Sequence, residues 1–212
     1  MRDVPKTAAV FVHGLFLNGA EFTLLRRRVT AEHGFEAHRF SYPTVRGSMA
    51  ATLDRLKTFV DRIDADRIHF IGHSLGGIVL CRYFEKFGNE RAGRVVVLGS
   101  PLLGSRSARE VSRHAWLRRV VGPLVAEEFV DSPTPRTWDC GCELGVIAGT
   151  RALGLGRFFA RFDEECDGTV ALSETKLPGH TEHLALPVSH MGLLASAQVA
   201  THVGRFLATG RF

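Results

Sequence analysis

Uninterrupted apolar runs recur along this chain, and each is followed by a stretch with helical spacing. That alternation limits the possible folds more than any other feature. The first run is TAAVFV at Thr7–Val12, and further strands are expected at Phe35–Tyr42, Arg67–Ile71, Arg94–Leu98, Leu144–Ala148 and Leu184–Val188. Strands apolar throughout must be covered on both faces. The helical stretches supply the cover. Asn18 is placed to cap a helix to about His33, with Leu24, Leu25 and Val29 on its inner face and Gly34 as its stop. Ser48 begins another to about Ile63, with Leu53, Leu56, Phe59, Val60 and Ile63 at helical spacing. Gly76–Phe87 is a third, and Gly192–Ala208 closes the chain as an amphipathic helix. The pattern predicts an α/β fold: a mostly parallel sheet with helices on both faces and its reactive site beyond the carboxyl ends of the strands.

At 212 residues the chain is long enough for one domain with a full core. No internal repeat or low-complexity linker divides it. The irregular part, about residues 104–142, carries an arginine-rich stretch (Arg106, Arg109, Arg113, Arg118, Arg119), then SPTP and Cys140-Gly-Cys142. It reads as a small lid-like insertion near the strand ends, not a second domain. The net charge of +5 comes almost entirely from arginine. No zinc-finger spacing, RNA-binding motif or basic helix with interleaved aromatics accompanies it, so nucleic acid is not an expected partner. Cys140 and Cys142 stand too close together for a zinc knuckle and no second pair follows, which leaves free thiols as the expectation and a redox pair or strained disulfide as the alternative. The amino-terminal apolar run is short and leads straight into His13-Gly14 without a cleavage signal, and no stretch reaches the length of a membrane span. A cytoplasmic protein without stable membrane insertion is expected; the sequence leaves the oligomeric state open.

Phe70–Leu80 reads FIGHSLGGIVL, a strand running through Gly72-His73-Ser74-Leu75-Gly76 into a helix. G-x-S-x-G alone arises by chance in about a tenth of chains this long. Its place between strand and helix is what marks a nucleophile elbow. The sharp turn strains the serine backbone, crowds the positions two residues to either side and leaves room there only for glycine. The alternative is a tight turn whose serine merely caps the helix.

Serine needs a base. His190, in PVSHMGLL, follows a strand and precedes the last helix, so its loop overhangs the sheet end. His180 and His183 lie before or inside that strand, His69 lies within another, and His73 points away beside the serine. The base in turn needs an acid to hold its tautomer. Asp167, in CDGTV, is the choice by chain order and turn geometry; Asp163, Glu164 and Glu165 crowd the same loop. Oxyanion donors are expected at the N–H of Leu75 and of Leu15, with Phe16 as the fallback to Leu15 and His13 as a brace for that loop. Phe16, Leu17, Leu102, Leu103 and the phenylalanines at 158, 159 and 162 are candidates for lining an acyl site, or for core packing.

HGLF, GHSLGG, DGTV and SHMGLL, in this order and across most of the chain, resemble the α/β-hydrolases, most of all the small bacterial lipases and esterases without a large cap. The resemblance implies the α/β-hydrolase fold and carboxylic ester hydrolysis through an acyl-serine. It implies Ser74, Asp167 and His190 as a catalytic triad, Leu15 and Leu75 as oxyanion donors, a small-molecule or lipid ester as substrate, and neither cofactor nor metal. One departure is that about fifteen residues, RALGLGRFFARFDEE, separate the fifth strand from Asp167, more than in minimal members. A thioesterase or acyltransferase on the same residues, and a catalytically silent binding protein of this fold, are the competing expectations.

Overall fold

The computed structural model describes residues 5–88, 90–112, 120–131, 136–153 and 163–212. Arg113, Arg118, Arg119 and the phenylalanines at 158, 159 and 162 lie outside these. Six strands form one sheet: β1 (Thr7–Val12), β2 (Glu36–Phe40), β3 (Arg67–His73), β4 (Ala92–Leu98), β5 (Leu144–Gly149) and β6 (Glu182–Leu186). Their spatial order is β2-β1-β3-β4-β5-β6, and every pairing is parallel. The central strands β1, β3, β4 and β5 are those with continuous apolar runs. The edge strands β2 and β6 carry polar residues and are only partly covered.

Alternate strand residues feed two cores. Val10, Val12, Phe70, Val95, Val97 and Val146 pack against helices α2 (Met49–Asp61) and α3 (Leu75–Phe87). On the opposite face Phe11, Ile71, Val96, Leu98 and Ile147 pack against α1 (Thr23–His33) and the last helix. The period-2 alternation of a strand explains how one apolar run serves both layers.

Local chemistry sets the helix ends. The Ser48 hydroxyl accepts from the Ala51 N–H and caps α2. Gly34 takes a left-handed conformation, φ 68°, and ends α1. Three details depart from the sequence reading. The first helix is preceded by a 3-10 turn at Ala20–Phe22, and Leu24 is exposed rather than inward. The closing helix is two: Gly192–Ala195 (α6) and Ala197–Thr209 (α7), broken where Ser196 adopts an extended backbone and caps the second through Val199 N. β3 runs two residues past Ile71, right up to the serine.

Between β4 and β5, α4 (Arg106–Ser112), the one-turn α5 (Pro123–Ala126) and a π-helical turn (Glu127–Asp131) lie over the carboxyl edge of the sheet. Two sets of polar contacts hold this roof. The Ser107 hydroxyl donates to the Thr169 carbonyl at 2.7 Å, and the Arg106 N–H donates to Glu174 Oε1 at 2.6 Å. Arg106 also pairs with Glu164. Farther along, the buried carboxylate of Glu128 pairs with buried Arg136 and with Arg82 on α3, and Arg136 donates to the Leu102 carbonyl. All four cysteines are free thiols. Among the described residues, no helix is long and apolar enough to cross a membrane.

Candidate active site

β3 ends at His73, paired with Leu98 of β4, and the chain turns at once into α3. Ser74 sits at that turn with φ 53° and ψ −120°, one of two non-glycine residues with positive φ among the described residues. Such a backbone costs roughly 1–3 kcal/mol and persists only where the surroundings over-determine it. Here they do. A Cβ on Gly72 would lie 2.7 Å from the Gly77 N, and one on Gly76 would lie 2.7 Å from the His13 carbonyl and overlap the Val12 carbonyl oxygen. The glycines let α3 close onto the ends of β1 and β3. Ser74 is thereby lifted over the amino end of a helix whose first N–H groups have no partner within the helix.

His190 follows β6 and comes back over this end of the sheet. Its Nδ1–H donates to Asp167 Oδ2 at 2.7 Å. The carboxylate is almost fully buried, and its other oxygen accepts two backbone N–H groups, from Thr169 at 2.9 Å and Val170 at 2.8 Å. The two loops are also joined by the His190 N–H, which donates to the Asp167 carbonyl at 2.9 Å. The tight Asp167-Gly168 turn depends on Gly168 at φ 95°. Of the neighbouring acids, Glu164 is engaged by Arg106 and Ser173.

Four other histidines are occupied elsewhere. His69 Nδ1 accepts from the Arg94 N–H, and burial lowers its pKa to about 4. His183 pairs with the Thr175 hydroxyl and is likewise lowered by burial to about 4. His180 donates to the Leu177 carbonyl. His13 stacks on Tyr42, accepts from the Tyr42 N–H at Nε2 and donates from Nδ1 to the Gly14 carbonyl; burial lowers its pKa. It therefore braces the loop after β1 as a neutral ring. Within that loop Phe16 has φ 61°, and its N–H donates to the Thr44 hydroxyl at 3.1 Å. The Leu15 N–H makes no hydrogen bond among the described residues.

Ser74, Leu15, Leu75 and His190 line one cavity of about 360 Å³. Its other walls are apolar: Leu17, Val111, Val121, Val125, Phe129 and Val170 contribute, with Phe16, Val120 and Met191 half exposed at the rim. Ser105, Ser107 and Thr169 are the polar additions, and no charged side chain lines it among the described residues. Of the expected acyl-site residues Phe16 and Leu17 are here, whereas Leu102 and Leu103 are not. Leu102 is fully buried in the core beneath, and Leu103 is turned to solvent, 48% exposed. They occupy successive positions in the turn after β4, so at most one faces inward, and it faces the core. Sequence reasoning missed the valines at 111, 120, 121 and 125 because nothing in their spacing says what they cover. It also missed Thr44, which has no motif around it.

Sheet, elbow and cavity together define the class: a doubly covered parallel α/β protein presenting a strained serine beyond the carboxyl ends of its strands. A model of the alpha/beta hydrolase family matches residues 9–203, and the chain belongs to that family. Solved structures of the same fold include a Bacillus licheniformis lipase, BlEst2 in mature form, at TM-score 0.67 and 18% identity over 100% of this chain and 95% of that one. The carboxylesterase CesB of Bacillus subtilis aligns at TM-score 0.60 and 15% identity, over 100% of this chain and 86% of its own. Phospholipase PlaB from Legionella pneumophila reaches TM-score 0.67 at 14% identity, over 95% of this chain but 60% of that one. Comparison with curated protein sequences gave no match.

Proposed function

We propose that the protein is a serine hydrolase that cleaves carboxylic esters with an apolar acyl group, through an acyl-serine intermediate. The observation that carries this reading is the buried His190–Asp167 hydrogen bond at the mouth of the cavity that holds the strained Ser74. With Nδ1–H committed to Asp167, the lone pair of the neutral ring is on Nε2, the atom free to take a proton. His190 would remove the Ser74 hydroxyl proton as Oγ attacks the ester carbon. The carbonyl π pair moves to oxygen, and the oxyanion is met by the N–H groups of Leu15 and Leu75. Collapse breaks the bond to the alkoxy group, which leaves as alcohol with the proton from His190. Water, deprotonated by His190, then attacks the acyl-serine and releases the acid. The Phe16 N–H is committed to Thr44, which favours Leu15 as the donor from the first loop.

The walls suggest the substrate class. The described walls carry no charged group, so against them a carboxylate or phosphate would be desolvated without a partner. An uncharged acyl chain would lose nothing of the kind, and each buried methylene adds about 0.8 kcal/mol, roughly fourfold in affinity. Hydrolysis of p-nitrophenyl esters from acetyl to palmitoyl tests this, with Ser74→Ala alongside. Rate constants kcat/KM are expected to climb with chain length until the cavity is full, and to vanish in the variant. Inactivity on all esters, or activity that survives Ser74→Ala, would overturn the reading. Matched thioesters separate a thioesterase, and failure of Ser74 to take a fluorophosphonate would indicate a silent binding protein. Carrying a long-chain ester through its micelle concentration tests the segment around 104–142 as a lid, for which a jump in rate is expected.

A further inference from the structure

We propose that His73, inside the elbow motif, is a positioning residue for His190: its Nε2–H holds the His190 backbone carbonyl while its ring supports the His190 ring. This rests on His190 being the base. His73 is fully buried, its Nε2 is 3.2 Å from the His190 carbonyl oxygen, and the two ring centroids are 4.7 Å apart at 46°. Phe22 closes its far side edge-on. A carbonyl can only accept, so Nε2 carries the proton.

The other ring nitrogen agrees. Nδ1 has no hydrogen-bond partner among the described residues and faces Gly14, where a Cβ would come within 3.2 Å of it. A proton on Nδ1 would be a buried donor without an acceptor, and would leave a lone pair on Nε2 against the lone pairs of the carbonyl. Burial disfavours the doubly protonated ring and holds the pKa well below the ordinary histidine range. One tautomer remains, and it is the one that donates to His190.

His190 is then pinned three ways. Asp167 takes its ring Nδ1–H, the Asp167 carbonyl takes its backbone N–H, and His73 takes hold of its backbone oxygen. The first two contacts come from one loop and fix the base to the acid, not to the nucleophile. His73 stands at the end of β3, one residue before Ser74, so it is the contact that references the base to the nucleophile's own strand. A displacement of about 1 Å between reacting groups costs about a hundredfold in rate.

The test pairs His73→Phe, which keeps a ring but removes the donor, with His73→Gln, whose amide reaches the place of Nε2. The first readout needs no substrate: the downfield proton resonance of the His190–Asp167 hydrogen bond, assigned by its loss in Asp167→Asn. The second is the split between kcat and KM on an ester. The resonance is expected in the wild type and His73→Gln, and is expected to broaden away in His73→Phe. There kcat falls about a hundredfold with KM unchanged. Should His73→Phe not fold, His73→Asn, whose amide stops short of the carbonyl, takes its place. A sharp resonance together with undiminished kcat in the donor-free variant would overturn the proposal. If the wild type cleaves no ester yet the resonance still depends on His73, the hydrolase reading falls and the positioning role stands.

Discussion

Asp167→Asn is the substitution whose outcome the geometry specifies most closely. Asp167 Oδ1 accepts the N–H groups of Thr169 and Val170, while Oδ2 accepts the proton of His190 Nδ1. An asparagine has one acceptor oxygen and can serve only one of the two sets in either orientation. Turning its NH2 toward the two backbone donors would leave both unsatisfied, at about 1–3 kcal/mol each, so its oxygen stays with them by about 2–6 kcal/mol. The NH2 group then faces His190 at 2.7 Å, donor against donor. The imidazole relieves that clash by moving its proton to Nε2, where the lone pair for Ser74 is needed. The expected loss in kcat is about ten-thousand-fold, the size seen when the same change forces the wrong tautomer in serine-protease triads, or about 5.4 kcal/mol of barrier. The assay is kcat/KM on the best p-nitrophenyl ester, with the urea midpoint measured alongside and expected to change little. A rate within tenfold of the wild type would refute the argument, reduce Asp167 to a loop brace and move the acid to Asp163, Glu164 or Glu165.

Further outcomes follow from the same geometry. Gly76→Ala must push α3 off the Val12 and His13 carbonyls, so it should cost about 1–3 kcal/mol or more by urea unfolding, with loss of ester cleavage; unchanged values would show the elbow to be compliant. Glu128→Leu strands the buried Arg136 and should lower stability by about 3–5 kcal/mol, whereas Glu128→Leu with Arg136→Met should recover much of it; equal loss in both would assign the effect to packing rather than charge. Burial pushes the folded pKa values of His13, His69, His73 and His183 below the unfolded value near 6.5, so the unfolded chain binds protons first and stability is lost as pH falls below about 6.5; for His69 and His183 the loss continues down to their folded values of about 4. At pH 5 His69 alone would contribute a loss of about 2 kcal/mol relative to neutral pH. Glu174, whose carboxyl is pushed up by burial, works in the opposite sense. A urea midpoint no lower at pH 5 than at pH 7.5 would contradict this.

What was legible in the sequence is what short-range physics decides. TAAVFV and RVVVL become central strands because a run apolar on both faces has no other place in a covered sheet. Ser48 and Gly34 work through their own backbone neighbours, and both end or begin helices where local rules put them. Gly72 and Gly76 are needed where the motif says they are needed. Long-range contacts were not legible. Leu24 and Leu25 are alike in composition, but only the register of α1 on α7 decides which is buried. Leu102 and Leu103 differ only in which way one turn faces. The role of His73 depends on a carbonyl 117 residues away. Ser196 looks like one more residue of a closing helix until its own side chain caps the next turn.

The tether between α4 and the acid loop has a consequence for any attempt to reshape this protein. Ser107 and Arg106 are hydrogen-bonded to Thr169, Glu174 and Glu164, on either side of Asp167, and Ser107, Ala108 and Val111 form part of the cavity wall. In the proposed hydrolase, cavity-wall side chains on this helix are thus joined mechanically to the carboxylate that would orient the base. Enlarging the wall through α4 would disturb turnover along with preference, and the two traits could not be tuned apart. Val125 and Phe129 sit on a segment fastened instead to α3 through Glu128 and Arg82. A library confined to those two positions should yield variants of altered chain-length choice at preserved speed. Variation thus has a permissive wall and a restrictive one within a single small cavity.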